Sequence, residues 1–249
     1  MSPRLSDFST LTFDCYGTLI DWETGIWDAL QPLLSRDPDR AVTRARALSA
    51  FGELESDQET ATPSMVYEEI LAAVHRRLAD RFGLPTDDGA DGDFGASVPH
   101  WPAFPDSAEA LRRLAKRCKL VILSNISRRG IAASNRKLGV SFDAIYTAEA
   151  IGSYTPSAAN IDYLLEHLRE DLGVEPSRVL HVAQSLFHDH VPARAAGLAT
   201  AWIDRQGLSE GGSWGATARV ENPPQPDFLF RSMGELADAV DGAFETPPA

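Results

Sequence analysis

The stretch Phe13-Asp14-Cys15-Tyr16-Gly17-Thr18-Leu19 sets a carboxylate at the end of a short apolar run, Leu11 to Phe13, and follows it with a Gly and a Thr. An apolar run that short, closed by turn residues, has the pattern of a buried parallel strand. The Gly and Thr permit a tight turn with exposed backbone N–H groups. A carboxylate at such a strand end can act as a nucleophile, forming a covalent intermediate that water later hydrolyses. It can equally cap the helix that follows, and the residues alone leave both readings open.

Working outward, the same kind of run recurs at Leu120 to Leu123, Val179 to Ala183, Thr200 to Ile203 and Phe228 to Phe230. Helical patterns separate these runs: Asp106 to Arg117, which opens with an Asp cap and a Glu three residues later, then Ser127 to Leu138, Asn160 to Leu172 and Val191 to Ala196. Strands alternating with helices predict an α/β fold with a doubly wound, Rossmann-like parallel sheet. The alternation stops between Ile20 and about Pro99, where helical stretches are expected at Trp22 to Leu34, Ala41 to Glu55 and Ser64 to Arg81. This predicts a core made of residues 1–19 and 100–249 with a helical cap inserted at 20–99. The Gly-, Pro- and Asp-rich segment Pro85 to Pro105 reads as a loop back to the sheet, Ser209 to Gly215 as a Gly/Ser loop, and Thr246 to Ala249 as a polar tail.

With 249 residues, 43% of them hydrophobic and 24% charged, the chain can bury a sizeable core. Its formal charge of −13 repels nucleic acid and anionic membranes, so neither is an expected partner. A small anionic substrate would be repelled too, unless donors inside the pocket reverse the potential locally. Met1 to Asp14 has no basic start leading into an apolar core, and no run is long enough to span a bilayer; the expectation is a cytoplasmic enzyme. Cys15 and Cys118, the 2 cysteines, fit no disulfide framework or zinc cluster and read as buried small hydrophobes.

An open parallel sheet binds its ligands at the carboxyl ends of its strands. The second run ends in Ser124-Asn125, whose donors can hold a substrate oxygen or cap the helix that follows. Arg128 and Arg129 come next, a pair whose usual place is solvated surface. After the fourth strand stands Gln184-Ser185-Leu186-Phe187-His188-Asp189-His190. Asp189 can cap the next helix, and His188 and His190 read as hydrogen-bonded loop histidines rather than metal ligands.

On these residues the chain resembles the haloacid dehalogenase superfamily, whose first motif is D-x-[DY]-G-[TV], here Asp14 to Thr18. Tyr16 marks the type II L-2-haloacid dehalogenase branch; the phosphatase branches have a second Asp there and bind magnesium. The resemblance implies a hydrolase without metal or cofactor, with magnesium entering only under the phosphatase alternative. It implies catalytic positions at Asp14, Thr18, Ser124, Asn125, Thr155, Ser185 and Asp189, and substrate binding by Cys15, Tyr16, Ser124 and Asn125. Asp14 would be the nucleophile, oriented by Thr18 and Ser185, and Asp189 would position water. Dimers are common among such relatives, so a homodimer is expected. An Arg from the cap would receive the substrate anion, with Arg44 and Arg46 in the corresponding helix, and Trp22, Trp27 and Tyr67 either wall the pocket or pack the core.

Two positions depart from the pattern. Leu186 stands where many members have Asn. Gly152-Ser153-Tyr154-Thr155-Pro156 places Thr155 where the family has the Lys that neutralises its nucleophile. Lys116, Lys119 and Lys137 all lie in or beside expected outer helices and offer no replacement. Three readings stay open: a weakened homologue, a catalyst using an arginine, or a chain whose Lys was replaced. A non-catalytic binding protein that keeps the pocket is the alternative from another class.

Overall fold

The computed structural model describes residues 3–39 and 41–245, so the tail expected at 246–249 lies outside the described residues. A six-stranded sheet runs in the order β3-β2-β1-β4-β5-β6. Its strands are β1 (Thr10–Phe13), β2 (Lys119–Ser124), β3 (Ala144–Thr147), β4 (Val179–Ala183), β5 (Ala199–Ile203) and β6 (Phe228–Phe230), and every pairing is parallel. Alternation along each strand sorts side chains to the two faces. Leu11, Phe13, Leu120, Ile122, Leu180 and Val182 join one large core, whereas Val121, Leu123, Tyr146 and Val179 join a second one. Each such fully buried side chain contributes about 1.5–3 kcal/mol of transfer free energy.

β3 is a strand that the sequence reading lacked. It is a sheet edge whose Ile145 is exposed, so no fully apolar run announces it. The helices on the core side are α6 (Ser107–Leu114), α7 (Arg128–Leu138), α8 (Ala148–Ile151), α9 (Ala158–Leu172), α10 (Val191–Ala195) and α11 (Met233–Glu245). Ile161, Leu164 and Leu168 of α9 cover the second core. Asp106 does not cap α6 as expected. Its carboxylate instead accepts two bonds from Arg205, at 2.9 and 3.1 Å, and one from the Gly234 N–H at 3.2 Å.

Between β1 and β2 run α1 (Trp22–Ala29), α2 (Gln31–Leu34), α3 (Arg44–Ala61), α4 (Tyr67–Phe82) and α5 (Asp88–Gly95). The single helix expected at Trp22 to Leu34 is broken at Leu30, because Pro32 in the first turn of α2 has no N–H to continue the ladder. α3 starts later than expected, where the Thr43 hydroxyl accepts from the Arg46 N–H, and runs six residues past Glu55 to Ala61. Its second half is polar, so hydrophobic periodicity gave no end signal. α5 and a 3₁₀ turn at Val98–His100 replace the loop expected at Pro85 to Pro105. The Asp87 carboxylate caps α5 by accepting from the Ala90 N–H, Phe94 is buried beside Phe51 and His75, and Asp91 binds His75 and Arg76. Those contacts outweigh the helix-breaking cost of three glycines, about 1 kcal/mol each. No described helix is long and apolar enough to cross a membrane.

Candidate active site

β1 is flanked by β2 on one side and β4 on the other, so the chain reverses its direction of travel across the sheet at β1. The crevice beyond the carboxyl ends of β1, β2 and β4 is where such a sheet binds ligands. A cavity of about 70 Å³ lies there, room for several water-sized positions and hence for a small molecule. The sheet side lines it with Asp14, Ser124, Asn125, Gln184, Ser185 and Asp189, and the helical insert with Trp22, Gly52, Glu55, Glu59 and Tyr67. A larger groove of about 800 Å³ lies at α1, α2 and α5, away from all the strand ends.

Asp14 follows β1 directly, and its N–H still donates to Val182 O at 3.1 Å. The chain then turns sharply: the N–H groups of Leu19 and Ile20 both donate to Cys15 O, at 2.8 and 2.9 Å. Gly17 holds φ +103°, a backbone conformation that L side chains rarely adopt, so glycine is required there. The Thr18 hydroxyl donates to Asp14 Oδ2 at 2.8 Å and accepts from the Gln184 N–H at 2.9 Å. The cap reading of Asp14 fails, since Asp21 caps α1. Burial pushes the Asp14 carboxyl well above the ordinary range, and the Asp189 carboxylate adds to this; the Thr18 hydroxyl, His181 and the Cys15 N–H pull the other way. Cys15 does not line the cavity. Its side chain is fully buried in the core, and only its backbone serves the turn.

At the end of β2, the Ser124 Oγ is buried without a hydrogen-bond partner. The Asn125 amide clasps the next loop, its Nδ2 donating to Thr155 O at 3.2 Å and its Oδ1 accepting from the Thr155 N–H at 2.8 Å. Neither residue caps α7; Ser127 does, accepting from the Gly130 N–H at 2.9 Å. The Ser127 hydroxyl also donates to Glu68 of α4 at 2.6 Å, tying the insert to the core. Thr155 lines the cavity and precedes a cis peptide bond to Pro156.

After β4 the chain makes a π-helical turn at Leu186–His190. The Ser185 hydroxyl starts it by accepting from the His188 N–H at 3.0 Å, so its described partner is His188 and not Asp14. Asp189 does not cap α10. Its Oδ1 lies 3.3 Å from His181 Nε2, while His181 Nδ1 lies 2.9 Å from the Thr12 hydroxyl. Burial pushes Asp189 up to about 8 and His181 down to about 4, so near neutral pH this contact is a hydrogen bond between uncharged groups. Burial likewise holds His188 and His190 neutral, each at about 4. Among the described residues no three His, Cys, Asp or Glu side chains are grouped as ligands of one metal ion.

The insert wall was not visible in the sequence. Glu55 and Glu59 stand one turn apart on α3 and face the cavity together. The Tyr67 hydroxyl donates to Glu55 Oε1 at 2.5 Å. Burial pushes Glu55 up to about 7; burial and the Glu55 charge push Glu59 well above its ordinary range. At Gly52 the helix rests on the loop at Ala216, whose carbonyl oxygen lies 2.1 Å from where a Cβ would be. Tyr16 lines the same space, its hydroxyl 2.7 Å from Ser134 Oγ and its ring edge-on to Trp101. Trp22 and Tyr67 line the cavity, whereas Trp27 packs against the core.

Among the described residues, no Lys or Arg lines the cavity. Arg44 donates to the Thr24 hydroxyl and Arg46 lies over the Phe82 ring, so neither candidate reaches it. Arg128 and Arg129 are exposed. Lys137 binds the Trp101 carbonyl and Lys119 pairs with Asp143. Glu55 and Glu59 escaped the sequence reading because an acidic i, i+4 pair on a polar helix normally marks a solvated face. Gln184 was passed over because its part is played through its N–H on Thr18.

The family model for haloacid dehalogenase-like hydrolases matches residues 8–197. The (S)-2-haloacid dehalogenase H-109 of Pseudomonas putida is 27% identical over 236 residues, covering 92% of this chain and 96% of that protein. The L-2-haloacid dehalogenase of Xanthobacter autotrophicus, solved with chloropropionic acid covalently bound, superimposes with a TM-score of 0.75 at 21% identity, over 94% of this chain and 99% of the other. The defluorinating L-2-haloacid dehalogenase Rha0230 gives a TM-score of 0.75 at 20% identity, over 97% and 100%. At these identities the structural likeness establishes the α/β fold.

Proposed function

Because the chain belongs to the haloacid dehalogenase-like hydrolases, we propose that it hydrolyses a carbon–halogen bond, turning a 2-haloacid and water into a 2-hydroxyacid and halide. The observation that carries this reading is Asp14 itself: a carboxylate at the end of β1, inside a small cavity, with one oxygen held by the Thr18 hydroxyl.

In the proposed reaction a carboxylate oxygen of Asp14 attacks C2 of the substrate, and the halide leaves with the bonding electron pair. No acid is needed, since halide is a good leaving group. Water then attacks the Asp14 carboxyl carbon, the bond from that carbon to the ester oxygen breaks, and the 2-hydroxyacid departs. Asp189 positions this water; in its ionised form, whose share grows as pH rises toward its pKa of about 8, it takes the water's proton and passes it to the departing ester oxygen. Ser124 offers its free hydroxyl to the substrate carboxylate, and Asn125 keeps the Thr155 loop in place. Cys15 and Thr18 support Asp14 through the turn, Ser185 holds the π-helical turn that carries Asp189, and Tyr16 with the helical insert closes the cavity as a cap. No metal or cofactor takes part.

Chloride release from L-2-chloropropionate with excess chelator, combined with incorporation of heavy oxygen from labelled water into Asp14, tests this. Release with label in Asp14 is expected; release without label removes the ester route. A second reading, ligand binding without turnover, is favoured by the lack of a Lys or Arg among the described residues that line the cavity with Asp14. It predicts thermal stabilisation by 2-chloropropionate, about 2.7 kcal/mol at a hundred times the dissociation constant, with no halide.

A further inference from the structure

The cavity gathers four carboxyl groups, Asp14, Asp189, Glu55 and Glu59, and no cation from the described residues. Glu59 is only 7% exposed and no described group donates to its carboxylate, although it lines the space. Independently, the Ser124 hydroxyl across the cavity is 4% exposed, fully shielded and unpartnered. Buried polar groups are ordinarily satisfied, and a shielded orphan beside a cavity points to a ligand that completes it. Aromatic rings of Tyr16, Trp22 and Tyr67 line the same space, and such rings also attract cations.

We infer that the substrate of this site carries a protonated amine as well as its halogenated carbon, the ammonium seated between Glu55 and Glu59 of α3 and the substrate carboxylate facing Ser124. The inference rests on the dehalogenase reading and gives its substrate class, an amino-substituted haloacid of no net charge. It also accounts for Thr155. Without a ligand, burial and mutual repulsion drive these carboxyls to hold protons, Asp14 included. An ammonium brought by the substrate shifts the balance toward the ionised forms, so the substrate supplies the charge that a lysine on the Thr155 loop would otherwise provide.

Calorimetric titration of the whole protein with propylammonium and with propionate at neutral pH reads the preference directly. Propylammonium is expected to bind at least about tenfold more tightly, and Glu59→Gln to weaken it at least about tenfold. Tighter binding of propionate by the unaltered protein, or unchanged propylammonium binding in Glu59→Gln, overturns the inference. Should Glu59→Gln fail to fold, Glu55→Gln serves the same comparison, and the ranking of the two probes needs no variant. Halide release then separates the inference from its parent reading. Faster release from 3-amino-2-chloropropionate than from 2-chloropropionate upholds both. Faster release from 2-chloropropionate overturns the amine site and leaves the ester route standing, whereas amine binding that depends on Glu59 without halide from either compound upholds the site and removes the dehalogenase.

Discussion

The sheet wall of the cavity holds Asp14, Ser124 and Asp189 through backbone: ladder bonds, the turn at Gly17 and the π-helical turn after β4. The opposite wall holds Glu55, Glu59 and Tyr67 through the packing of α3 on α4, with side-chain contacts alone to aim them. Side chains at strand ends are held by a backbone that the sheet's own hydrogen bonds already fix. A helix face can be repopulated by substitution without disturbing the fold. The first kind of wall suits a reaction and the second suits the choice of what reacts.

Substitutions on the two walls should therefore have unequal effects. Asp14→Asn is expected to abolish halide release, by on the order of 10⁴-fold or more, while its thermal unfolding stays cooperative. A surviving rate would move the chemistry off the sheet wall. Thr155→Lys puts a cation where this chain has none. A unit charge about 4 Å from Asp14 is worth roughly 4 kcal/mol at an effective dielectric of 20, so 2-chloropropionate turnover should rise by up to about a thousandfold. No rise, with the lysine ammonium still titrating normally, would mean that the missing charge is not what limits Asp14. Thr18→Val strips Asp14 of its hydroxyl donor and the Gln184 N–H of its acceptor. About 1–3 kcal/mol is at stake, read as a slower rate together with a lower melting temperature.

A pH titration of stability bears on Asp189. Its native carboxyl holds a proton up to about pH 8, whereas in the unfolded chain it loses it near its ordinary value of 3.8. The native state thus binds the extra proton between these limits, and the contribution of Asp189 to stability falls as pH rises from about 4 to 8, opposed below about 6.5 by His181, His188 and His190, which are lowered to about 4. Asp189→Asn should remove that contribution from melting curves taken across the range. The smallest effect is expected from Ser127→Ala, which removes the α7 cap and the tie to Glu68. A loss of about 1 kcal/mol, or roughly 2–4 °C in melting temperature, is expected.

The same contrast governs how much the sequence disclosed. Strands β1, β2, β4 and β5 are legible because burial on both faces leaves near-continuous apolar runs, and Asp14, Ser124 and Asp189 are legible because they end or follow those runs. The edge strand β3 and the helix α5 are not, since one is half exposed and the other is held by contacts with residues far away in the chain. Glu55 and Glu59 have the local signature of a solvated surface; only the packing of α3 over the strand ends turns them inward.

Where α3 meets the loop at Ala216, Gly52 brings helix and carbonyl together with no side chain between them. That contact works as a spacer of zero thickness, and any larger residue would act as a shim, lifting the whole Glu55–Glu59 face off Asp14. The reach between the two walls, and with it the length of molecule that can bridge them, is therefore adjustable at a residue that carries no chemistry of its own.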